Sequence, residues 1–432
     1  MLPVLLEKLD RRTAKIGIIG IGYVGLPLAV SFGEAGFDVV GIDLREEKVR
    51  LINEGRSHLL DVTNESVSKL RKQGRISAST SFESLAEVDV SIVCVPTPLA
   101  EGQPDLSRVV FAGEEIGKVL RRGSLFVLES TTYPGTTEDL LQPLLEAGGL
   151  KQGTDFMLAY SPERIDPGNA TFSVEDIPKI VGGVDKPAAE AAAALYRHVV
   201  PEVVVVSGTR EAEMAKLIEN TFRHVNIALV NELAMYSNDL GVDIWEAIGA
   251  AATKPFGYMP FWPGPGWGGH CIPLDPTFLS WRVRQSRSHE VRFIGLAQAI
   301  NAEMPRFVLE RTASILNQEG KPIKGSKILG IGVAYKPNTA DTRGSPGLTI
   351  LGKLAEQGAS VSYNDPLVST ENIGGQTVQS VSVSSGVLEA QDLILIFVRQ
   401  SEIDWGLISE SSTTIFDCCN ALGLRKSNIH RL

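Results

Sequence analysis

Cys271 is the residue in this chain whose sequence context best suits covalent chemistry. It follows two glycines in the run Gly268-Gly269-His270-Cys271, and Asp275 comes four residues later. Small residues before a cysteine would let a bulky substrate approach the sulfur, and a thiolate adds readily to a carbonyl carbon. The resulting thiohemiacetal can lose a hydride, which would carry an oxidation past the aldehyde. Taken alone, Cys271 fits an inert buried thiol equally well, which is our interpretation of Cys94 in its apolar strand, and we expect His270 to be structural.

Two further pairs of polar residues have spacings that suit a catalytic site. Lys216 and Asn220 are four residues apart in a long helical pattern, so they share one helix face and would present an ammonium and an amide to a developing alkoxide. A solvated lysine beside a polar neighbour would have the same spacing. Glu163 and Arg164 follow a short apolar strand, and by themselves they indicate only a charged turn.

A glycine-rich turn near the N-terminus predicts a dinucleotide site. Gly20, Gly22 and Gly25 form the pattern G-x-G-x-x-G between an apolar strand and a helical stretch, where glycines admit a pyrophosphate to the helix N-terminus. Asp43 ends the next strand, where a carboxylate can accept both ribose hydroxyls and would repel a 2′-phosphate. The pattern therefore predicts NAD rather than NADP as cofactor, a preference that Arg45 close by weakens a little.

Strands alternate with helices in both outer thirds of the chain, which is typical of parallel sheets covered on both faces. Between these regions, a long helical period begins near Thr209, and a Gly/Pro-rich segment from Lys254 to Pro273 predicts a large loop. The stretch from Lys327 echoes the stretch from Lys15 but lacks the third glycine. We therefore predict an α/β fold of two Rossmann-like doubly wound parallel-sheet domains joined by a long central helix.

Composition excludes several classes of partner. The net charge of −10 argues against binding to nucleic acid or to an anionic membrane surface. The sequence has no run of about 18 apolar residues, so we expect no membrane span, and its acidic, briefly apolar first residues do not predict a secretory signal. Four cysteines without paired spacing predict a reducing compartment, hence a cytoplasmic protein, and no metal-ligand spacing occurs, so we expect no metal.

Taken together, the motifs resemble the UDP-glucose and GDP-mannose dehydrogenase family almost from end to end. The similarity rests on seven motifs in family order: GIGYVGLP (20–27), VPTP (95–98), Ser130-Thr131 before Pro134-Gly135, SPER (161–164), Lys216 with Asn220, PGPGWGGHCIPLDP (263–276) and AYKPNTADTRGSP (334–346). Each motif is modest alone, and their common order makes the resemblance specific.

The resemblance implies a role for each matching residue. Cys271 corresponds to the nucleophile, Lys216 with Asn220 to the groups that stabilise oxyanions, Asp275 and Thr131 to residues holding a water used in proton transfer, and Glu163 to the glutamate that helps to hydrolyse a thioester. Expected cofactor contacts are Gly20, Gly22, Tyr23, Val24, Gly25, Asp43, Arg45, Lys48, Pro96, Thr97, Ser130, Thr131 and Arg343. Expected substrate contacts are Glu163, Arg164, Lys216, Asn220, Tyr258, Trp262, Gly268 and Lys336.

The family architecture implies three domains and a homodimer. We expect an NAD-binding Rossmann domain at 1–208, a central helical dimerisation segment with the catalytic loop at 209–320, and a UDP-sugar-binding Rossmann-like domain at 321–432.

Departures in the loop before Cys271 indicate a branch of the family. The chain has GGHC and Leu274 where UDP-glucose dehydrogenases have GGSC and a lysine, and Pro255 falls near the place of their loop arginine. The loop is most similar to that of UDP-N-acetylglucosamine 6-dehydrogenases, which act in polysaccharide biosynthesis. We therefore expect four-electron oxidation of UDP-N-acetylglucosamine at C6. UDP-glucose or UDP-N-acetylgalactosamine stays open as substrate, and so do a two-electron dehydrogenase and a non-catalytic nucleotide-sugar sensor.

Overall fold

The computed structural model describes residues 1–59, 61–164, 176–269, 271–287 and 289–432, and it leaves the side chain of Cys271 undescribed. His270 therefore lies outside the described residues. The chain forms two compact units. The N-terminal unit comprises Met1–Glu219 and Thr277–Ser288, and the C-terminal unit comprises Asn220–Pro276 and His289–Leu432.

An eight-stranded sheet forms the centre of the N-terminal unit, in the order β10-β9-β8-β7-β4-β1-β2-β3. The strands of this unit are β1 (Lys15–Ile19), β2 (Asp38–Ile42), β3 (Ile76–Ser79), β4 (Val90–Val93), the short hairpin pair β5 (Leu99–Ala100) and β6 (Gln103–Pro104), β7 (Leu125–Leu128), β8 (Met157–Tyr160), β9 (Lys179–Gly183) and β10 (Val203–Val205). The strands from β8 to β3 in this order are parallel, as predicted. The structure differs from the expectation at one edge, where β9 runs antiparallel to β8.

Helices cover both faces of this sheet. They are α1 (Leu2–Asp10), α2 (Gly25–Glu34), α3 (Glu46–Asn53), α4 (Asn64–Lys72), α5 (Ser107–Val119), α6 (Gln142–Glu146) and α7 (Lys186–Tyr196), with a 3-10 turn at Phe82–Leu85 and a π-helical turn at Thr136–Leu141. The central strands β4, β7 and β8 are buried along their whole length, because apolar side chains from both faces pack into separate cores.

The helices that follow are α8 (Thr209–Ser237), α9 (Ile244–Ala251), α10 (Cys271–Arg287) and α11 (Arg292–Gln318). α8 is amphipathic as predicted, but its buried stripe is largely polar, with Thr209, Glu213, Lys216, Asn220, His224 and Asn231 all buried. Large apolar side chains on the same helix are exposed, among them Phe222, Leu229, Leu233 and Tyr236. The predicted loop also ends earlier than expected, because Cys271 is the first residue of α10.

A five-stranded parallel sheet, in the order β12-β11-β15-β16-β17, forms the centre of the C-terminal unit. Its elements are β11 (Lys327–Ile331), α12 (Pro346–Glu356), β12 (Ser360–Asn364), the hairpin β13 (Thr370–Ile373) and β14 (Gln376–Gln379), α13 (Ser385–Glu389), β15 (Leu393–Ile396), α14 (Trp405–Glu410), β16 (Ile415–Asp417) and β17 (Ile429–Arg431). This second Rossmann-like sheet confirms the predicted echo of the N-terminal region.

The second nucleotide fold uses its acidic residue differently from the first. Asp365, the counterpart of Asp43, is buried, and its carboxylate accepts hydrogen bonds from the backbone N–H groups of Val333 and Ala334 at 2.9 and 3.1 Å. That carboxylate therefore closes the turn after β11. The predicted boundary at 208/209 coincides with the start of α8, whereas the two compact units divide within that helix, so the three-domain division stays a prediction.

No helix in the described part of the chain is long and apolar enough to cross a membrane. Among the described residues, no cluster of three or more histidine, cysteine, aspartate or glutamate side chains has the geometry to hold a metal ion.

Candidate active site

The glycine turn after β1 has the backbone geometry that a dinucleotide site requires. Gly20 adopts a φ of +91°, and a Cβ atom on Gly25 would lie 2.0 Å from the carbonyl oxygen of Gly20. Both positions therefore need glycine for the tight turn and the close approach of α2. A Cβ on Gly22 would meet nothing within 4 Å, so that position faces open space, and Tyr23 beside it is exposed. The turn can therefore admit a pyrophosphate group to the N-terminus of α2.

Three of the predicted cofactor residues, Asp43, Arg45 and Lys48, lie together after β2. The carboxylate of Asp43 accepts a hydrogen bond from the backbone N–H of Arg45 at 3.0 Å and forms an ion pair with Lys48 at 2.7 Å. These contacts fix the orientation of the carboxylate, which suits recognition of a ribose diol. The ammonium of Lys48 also offsets part of the repulsion that Asp43 would exert on a 2′-phosphate.

The loops after β4 and β7 are joined by two side-chain hydrogen bonds. Ser130 Oγ donates to the carbonyl oxygen of Val95 at 2.7 Å, and Thr97 Oγ1 donates to the carbonyl oxygen of Thr131 at 2.8 Å. Because β1, β2, β4 and β7 are parallel neighbours, their loops meet at one edge of the sheet, where ligands of this fold bind. The predicted residues Thr97, Ser130 and Thr131 are thus brought together, and Pro96 lies in the same loop.

Glu213 supports this edge of the sheet and was not identified from the sequence. It is buried on α8, and its carboxylate accepts from the backbone N–H of Gly135 at 2.6 Å and of Thr137 at 2.9 Å. A third hydrogen bond comes from the Thr137 hydroxyl at 2.7 Å. Burial raises the pKa of Glu213 to about 7, against these hydrogen bonds, which lower it. Its position three residues before Lys216, on the same stripe of α8, is the signal that could have found it.

Glu163 and Arg164 follow β8 and are held by well-defined partners. Glu163 Oε1 accepts from the backbone N–H of Arg164 at 2.7 Å. The Arg164 guanidinium donates to the carbonyl oxygen of Pro178 at 2.6 Å and pairs with Glu219 at 2.7 Å. The ammonium of Lys179 lies 3.5 Å from Glu163 Oε2. The charged turn predicted from the sequence is therefore an ordered cluster of charges.

Lys216 and Asn220 occupy consecutive turns of the buried polar stripe of α8, as their spacing predicted. In the C-terminal unit, Asn220 Nδ2 donates to Asp275 Oδ2 at 2.5 Å, and both side chains are buried. Asp275 is the fifth residue of α10, which begins at Cys271. The hydrogen bond therefore fixes the N-terminal part of α10 against α8.

His224 continues the same stripe and was also missed from the sequence. Its ring nitrogens face the carbonyl oxygens of Ile272 at 3.1 Å and Ile294 at 3.4 Å, and its ring stacks on Trp267 with centroids 4.5 Å apart. Burial lowers the pKa of His224. The imidazole thus connects α8 to the start of α10 and to the preceding loop, and its spacing of four from Asn220 was the available signal.

The two glycines before Cys271 are required by their neighbours within the C-terminal unit. A Cβ atom on Gly268 would lie 2.6 Å from Tyr335 Cβ, and one on Gly269 would lie 2.6 Å from the Tyr335 ring. The backbone N–H of Gly269 donates to the carbonyl oxygen of Arg343 at 2.8 Å. These glycines therefore let the loop pack against residues 335–344, a physical reason that differs from the substrate access expected from the sequence.

The remaining predicted substrate and cofactor contacts are in the C-terminal unit. Tyr258 is exposed, and Trp262 stacks on Trp245 of α9 with centroids 5.7 Å apart and an interplanar angle of 10°. The ammonium of Lys336 lies 5.7 Å from the centroid of the Tyr335 ring. Arg343 forms an ion pair with Asp341 at 2.5 Å. Contact of these side chains with a nucleotide sugar or with NAD stays a prediction.

The Rossmann fold with its glycine turn and ordered Asp43 is that of an NAD-binding protein. More specifically, the chain belongs to the UDP-glucose/GDP-mannose dehydrogenase family. The NAD binding domain of that family matches residues 14–200, its central domain matches residues 210–303, and its UDP binding domain matches residues 329–423. The protein is therefore a nucleotide-sugar dehydrogenase that uses NAD.

Individual relatives agree with this assignment. The chain is 38% identical over 361 residues to the UDP-N-acetyl-D-glucosamine 6-dehydrogenase of Pseudomonas aeruginosa, which covers 83% of this chain and 84% of the relative. It is 37% identical over 355 residues to the UDP-N-acetyl-D-mannosamine dehydrogenase of Pyrococcus horikoshii, covering 82% and 84%. The solved structure of UDP-D-ManNAc dehydrogenase from Pyrococcus horikoshii aligns with a TM-score of 0.87 at 34% identity, covering 96% of this chain and 98% of that one.

Proposed function

We propose that the protein oxidises the 6-hydroxymethyl group of a UDP-N-acetylhexosamine, UDP-N-acetylglucosamine in the first place, to the carboxylic acid. The reaction consumes two NAD⁺ and one water and yields the uronic acid, two NADH and two protons. The observation that carries the proposal is the buried hydrogen bond between Asn220 and Asp275, at the start of the helix that Cys271 opens. Buried polar groups of this kind, beside a candidate nucleophile, fit acyl chemistry better than a structural core.

The proposed mechanism begins with proton removal, hydride transfer and covalent capture of the aldehyde. Bound NAD⁺ accepts a hydride in each of the two oxidations. Lys216, or a water held by Asp275 and Thr131, takes the proton of the 6-hydroxyl group. Cys271 adds to the aldehyde, which keeps this reactive intermediate on the enzyme until the second oxidation converts the thiohemiacetal to a thioester.

Charge stabilisation and hydrolysis complete the proposed reaction. Lys216, supported by Asn220, stabilises the oxyanion that forms when sulfur or water adds to the carbonyl carbon. Glu163 directs the water that hydrolyses the thioester. The position of Cys271 supports its role, because the first residue of a helix is where the backbone dipole favours a thiolate.

The choice of sugar rests on the loop before Cys271 and on the relatives. Leu274 and Pro255 depart from the glucose branch of the family, which favours an N-acetylated sugar. UDP-N-acetylmannosamine is the second candidate, because the relative from Pyrococcus horikoshii carries that name and is about as similar as the glucosamine enzyme. These sugars are epimers at C2, so a site that reads the acetamide must also read its orientation.

We further propose that the enzyme is a cytoplasmic homodimer joined through the central helices. The exposed apolar side chains of α8 and α11 support this arrangement, because a cluster of that size is rarely left in water on a monomer. Its members in the C-terminal unit include Phe222, Leu229, Leu233, Tyr236, Phe293 and Leu296.

A panel of UDP-sugars with NAD⁺ tests the reaction and the substrate together. We expect two NADH per sugar, a product mass corresponding to the uronic acid, and kcat/KM for UDP-N-acetylglucosamine more than tenfold above that for UDP-glucose, about 1.4 kcal/mol in transition-state binding. UDP-N-acetylmannosamine and UDP-N-acetylgalactosamine complete the panel. One NADH per sugar would replace the proposal with a simple alcohol dehydrogenase, and none would indicate a sensor.

Cys271→Ala and Cys271→Ser serve as matched variants in the same assay. We expect the alanine variant to lose net NADH production and to keep NAD affinity within about twofold, since the glycine turn is a separate part of the chain. The serine variant should accumulate an oxygen ester detectable by intact-protein mass. Equal loss of cofactor affinity and activity would instead identify Cys271 as structural.

A further inference from the structure

A buried lysine without a predicted role adjoins Glu163. The Lys179 side chain is 9% exposed, and its ammonium lies 3.0 Å from Glu129 Oε2 and 3.5 Å from Glu163 Oε2. Glu129 is fully buried, and its other oxygen accepts a hydrogen bond from the hydroxyl of Tyr196. The ammonium also lies 5.0 Å from the centroid of the Tyr196 ring. Burying two charges costs free energy, so the buried ion pair of Lys179 with Glu129 indicates a role other than packing.

The antiparallel direction of β9 explains how Lys179 reaches this place. β9 pairs with β8 so that Gly183 faces Ala159 and Gly182 faces Tyr160. Three further steps along the same register bring Lys179 opposite Glu163. In a parallel arrangement the first residue of β9 would lie at the opposite edge of the sheet, away from the loops after β7 and β8. Because β9 is antiparallel, the Lys179 ammonium lies at the same end of the sheet as Ser130, Thr131 and Glu163, which follow β7 and β8.

The surrounding charges keep Lys179 protonated. Burial alone would lower the pKa of Lys179, but the two carboxylates of Glu129 and Glu163 outweigh it and raise the pKa. Burial raises the pKa of Glu129, and Lys179 opposes that shift. Glu129 is the nearer counter-charge, and it has Tyr196 as a second partner. Glu163 shares the remaining side of the ammonium, with its other oxygen held by the backbone N–H of Arg164.

We propose that Lys179, with Glu129 as its counter-charge, is a positioning residue that holds the Glu163 carboxylate in the orientation required for thioester hydrolysis. The inference rests on the proposed function. In that step a water oxygen bonds to the thioester carbon and its proton passes to Glu163. The carbon–sulfur bond then breaks, and the sulfur of Cys271 leaves as a thiolate while the product leaves as the acid. Lys179 contacts neither substrate nor cofactor in this scheme.

Lys179→Met tests the proposal, because methionine keeps the length of the side chain and removes the charge. Rapid mixing with NAD⁺ and the UDP-sugar should show a burst of two NADH per active site, followed by a steady state at least tenfold slower than in the unmodified enzyme. Intact-protein mass should show the acylated chain, and KM for the sugar should fall together with kcat, so that kcat/KM stays within about twofold, because the slowed step follows acylation. Lys179→Arg should recover most of the steady-state rate.

Three further variants separate positioning from folding. Lys186→Met, on an exposed lysine at the start of α7, should match the unmodified enzyme. Lys179→Met combined with Glu129→Gln removes both buried charges, so it should fold and accumulate the same adduct. In a Glu163→Gln background, Lys179→Met should change the rate less than twofold, because the lysine acts through Glu163.

Several outcomes would overturn the proposal. The first is a steady-state rate of Lys179→Met within twofold of the unmodified enzyme. The second is loss of the NADH burst of Lys179→Met together with its steady-state rate. The third is a further tenfold loss of rate when Lys179→Met is added to Glu163→Gln. If the unmodified enzyme produced no NADH from any UDP-sugar, the proposed function would fail and this inference with it. If the unmodified enzyme produces NADH and one of the first three outcomes is found, this inference fails and the proposed function stands.

Discussion

Asn220 and Asp275 are joined by a 2.5 Å hydrogen bond between two buried side chains, one on α8 and one in the second turn of α10. The Asn220 amide is the donor in this contact, and Asp275 Oδ2 is the acceptor. Because Asp275 comes four residues after Cys271, this bond positions the start of α10 relative to α8, together with the contact of His224 to the carbonyl oxygen of Ile272. The candidate nucleophile is thus fixed at backbone level by polar contacts.

Asp275→Asn should separate the electrostatic role of this residue from its structural role. The asparagine keeps an oxygen for Asn220, so we expect the free energy of unfolding to change by only about 1 kcal/mol. Loss of the negative charge should lower kcat at least 100-fold, about 2.7 kcal/mol, since no carboxylate remains to hold the proton-transfer water. NADH formation and urea unfolding measure the two effects. Asp239→Asn, on an exposed aspartate after α8, is the control. A loss of stability proportionate to the loss of rate would contradict the prediction.

Asp43→Ala should change cofactor choice more than a simple loss of contact would. The substitution removes the ribose partner and also frees the ammonium of Lys48, which pairs with Asp43 at 2.7 Å. We expect kcat/KM for NAD⁺ to fall at least tenfold, about 1.4 kcal/mol, and kcat/KM for NADP⁺ to rise. Adding Lys48→Ala should abolish the gain with NADP⁺ without restoring NAD⁺. Comparable kcat/KM for the two cofactors in the unmodified enzyme would refute the assignment of Asp43.

Glu213 should make folding stability depend on pH near neutrality. Burial raises its pKa from 4.5 to about 7, so the folded state binds the proton more tightly than the unfolded chain. The stabilisation is complete below about pH 4.5 and is lost as the pH rises through about 7. Between pH 5 and pH 8 the unmodified protein should therefore lose on the order of 1–3 kcal/mol relative to Glu213→Gln. Urea unfolding of both proteins across this range measures the difference, and parallel pH profiles would show that Glu213 does not contribute.

Introducing two aspartates on the exposed face of α8 should dissociate the proposed dimer. Leu229→Asp combined with Leu233→Asp places two charges in the apolar cluster, and a buried unpaired charge is strongly unfavourable. We expect light scattering at low micromolar concentration to report a single chain for this variant and two chains for the unmodified protein. Val4→Asp changes an exposed apolar residue of α1 and should leave the mass unaltered. A double variant that kept the two-chain mass would place the interface elsewhere.

The features predicted well from the sequence are those with short-range causes. The glycine turn after β1, the acidic residue after β2 and the echo of both in the C-terminal unit depend on neighbouring residues, and the structure confirms them. The catalytic assignments, from Cys271 to Glu163, came from the resemblance and stay predictions.

What the sequence did not reveal depends on contacts between distant segments. Lys179 opens an ordinary apolar strand, and only the antiparallel pairing of β9 brings it to Glu163. The amphipathic pattern of α8 was visible, but burial of its polar side follows from Glu213, Asn220 and His224 having partners in other elements. Periodicity identifies a face of a helix, and it does not tell which face the protein covers.

The compact units alternate along the chain, and this has a consequence for synthesis on the ribosome. Residues Thr277–Ser288 belong to the N-terminal unit, and Phe278 is completely buried in its core. The hydrophobic core around the first sheet therefore cannot close until well over half of the chain has been translated, with the loop before Cys271 already emerged. A nascent chain carrying only the first Rossmann sheet would expose the apolar site reserved for Phe278, a surface on which chaperones act.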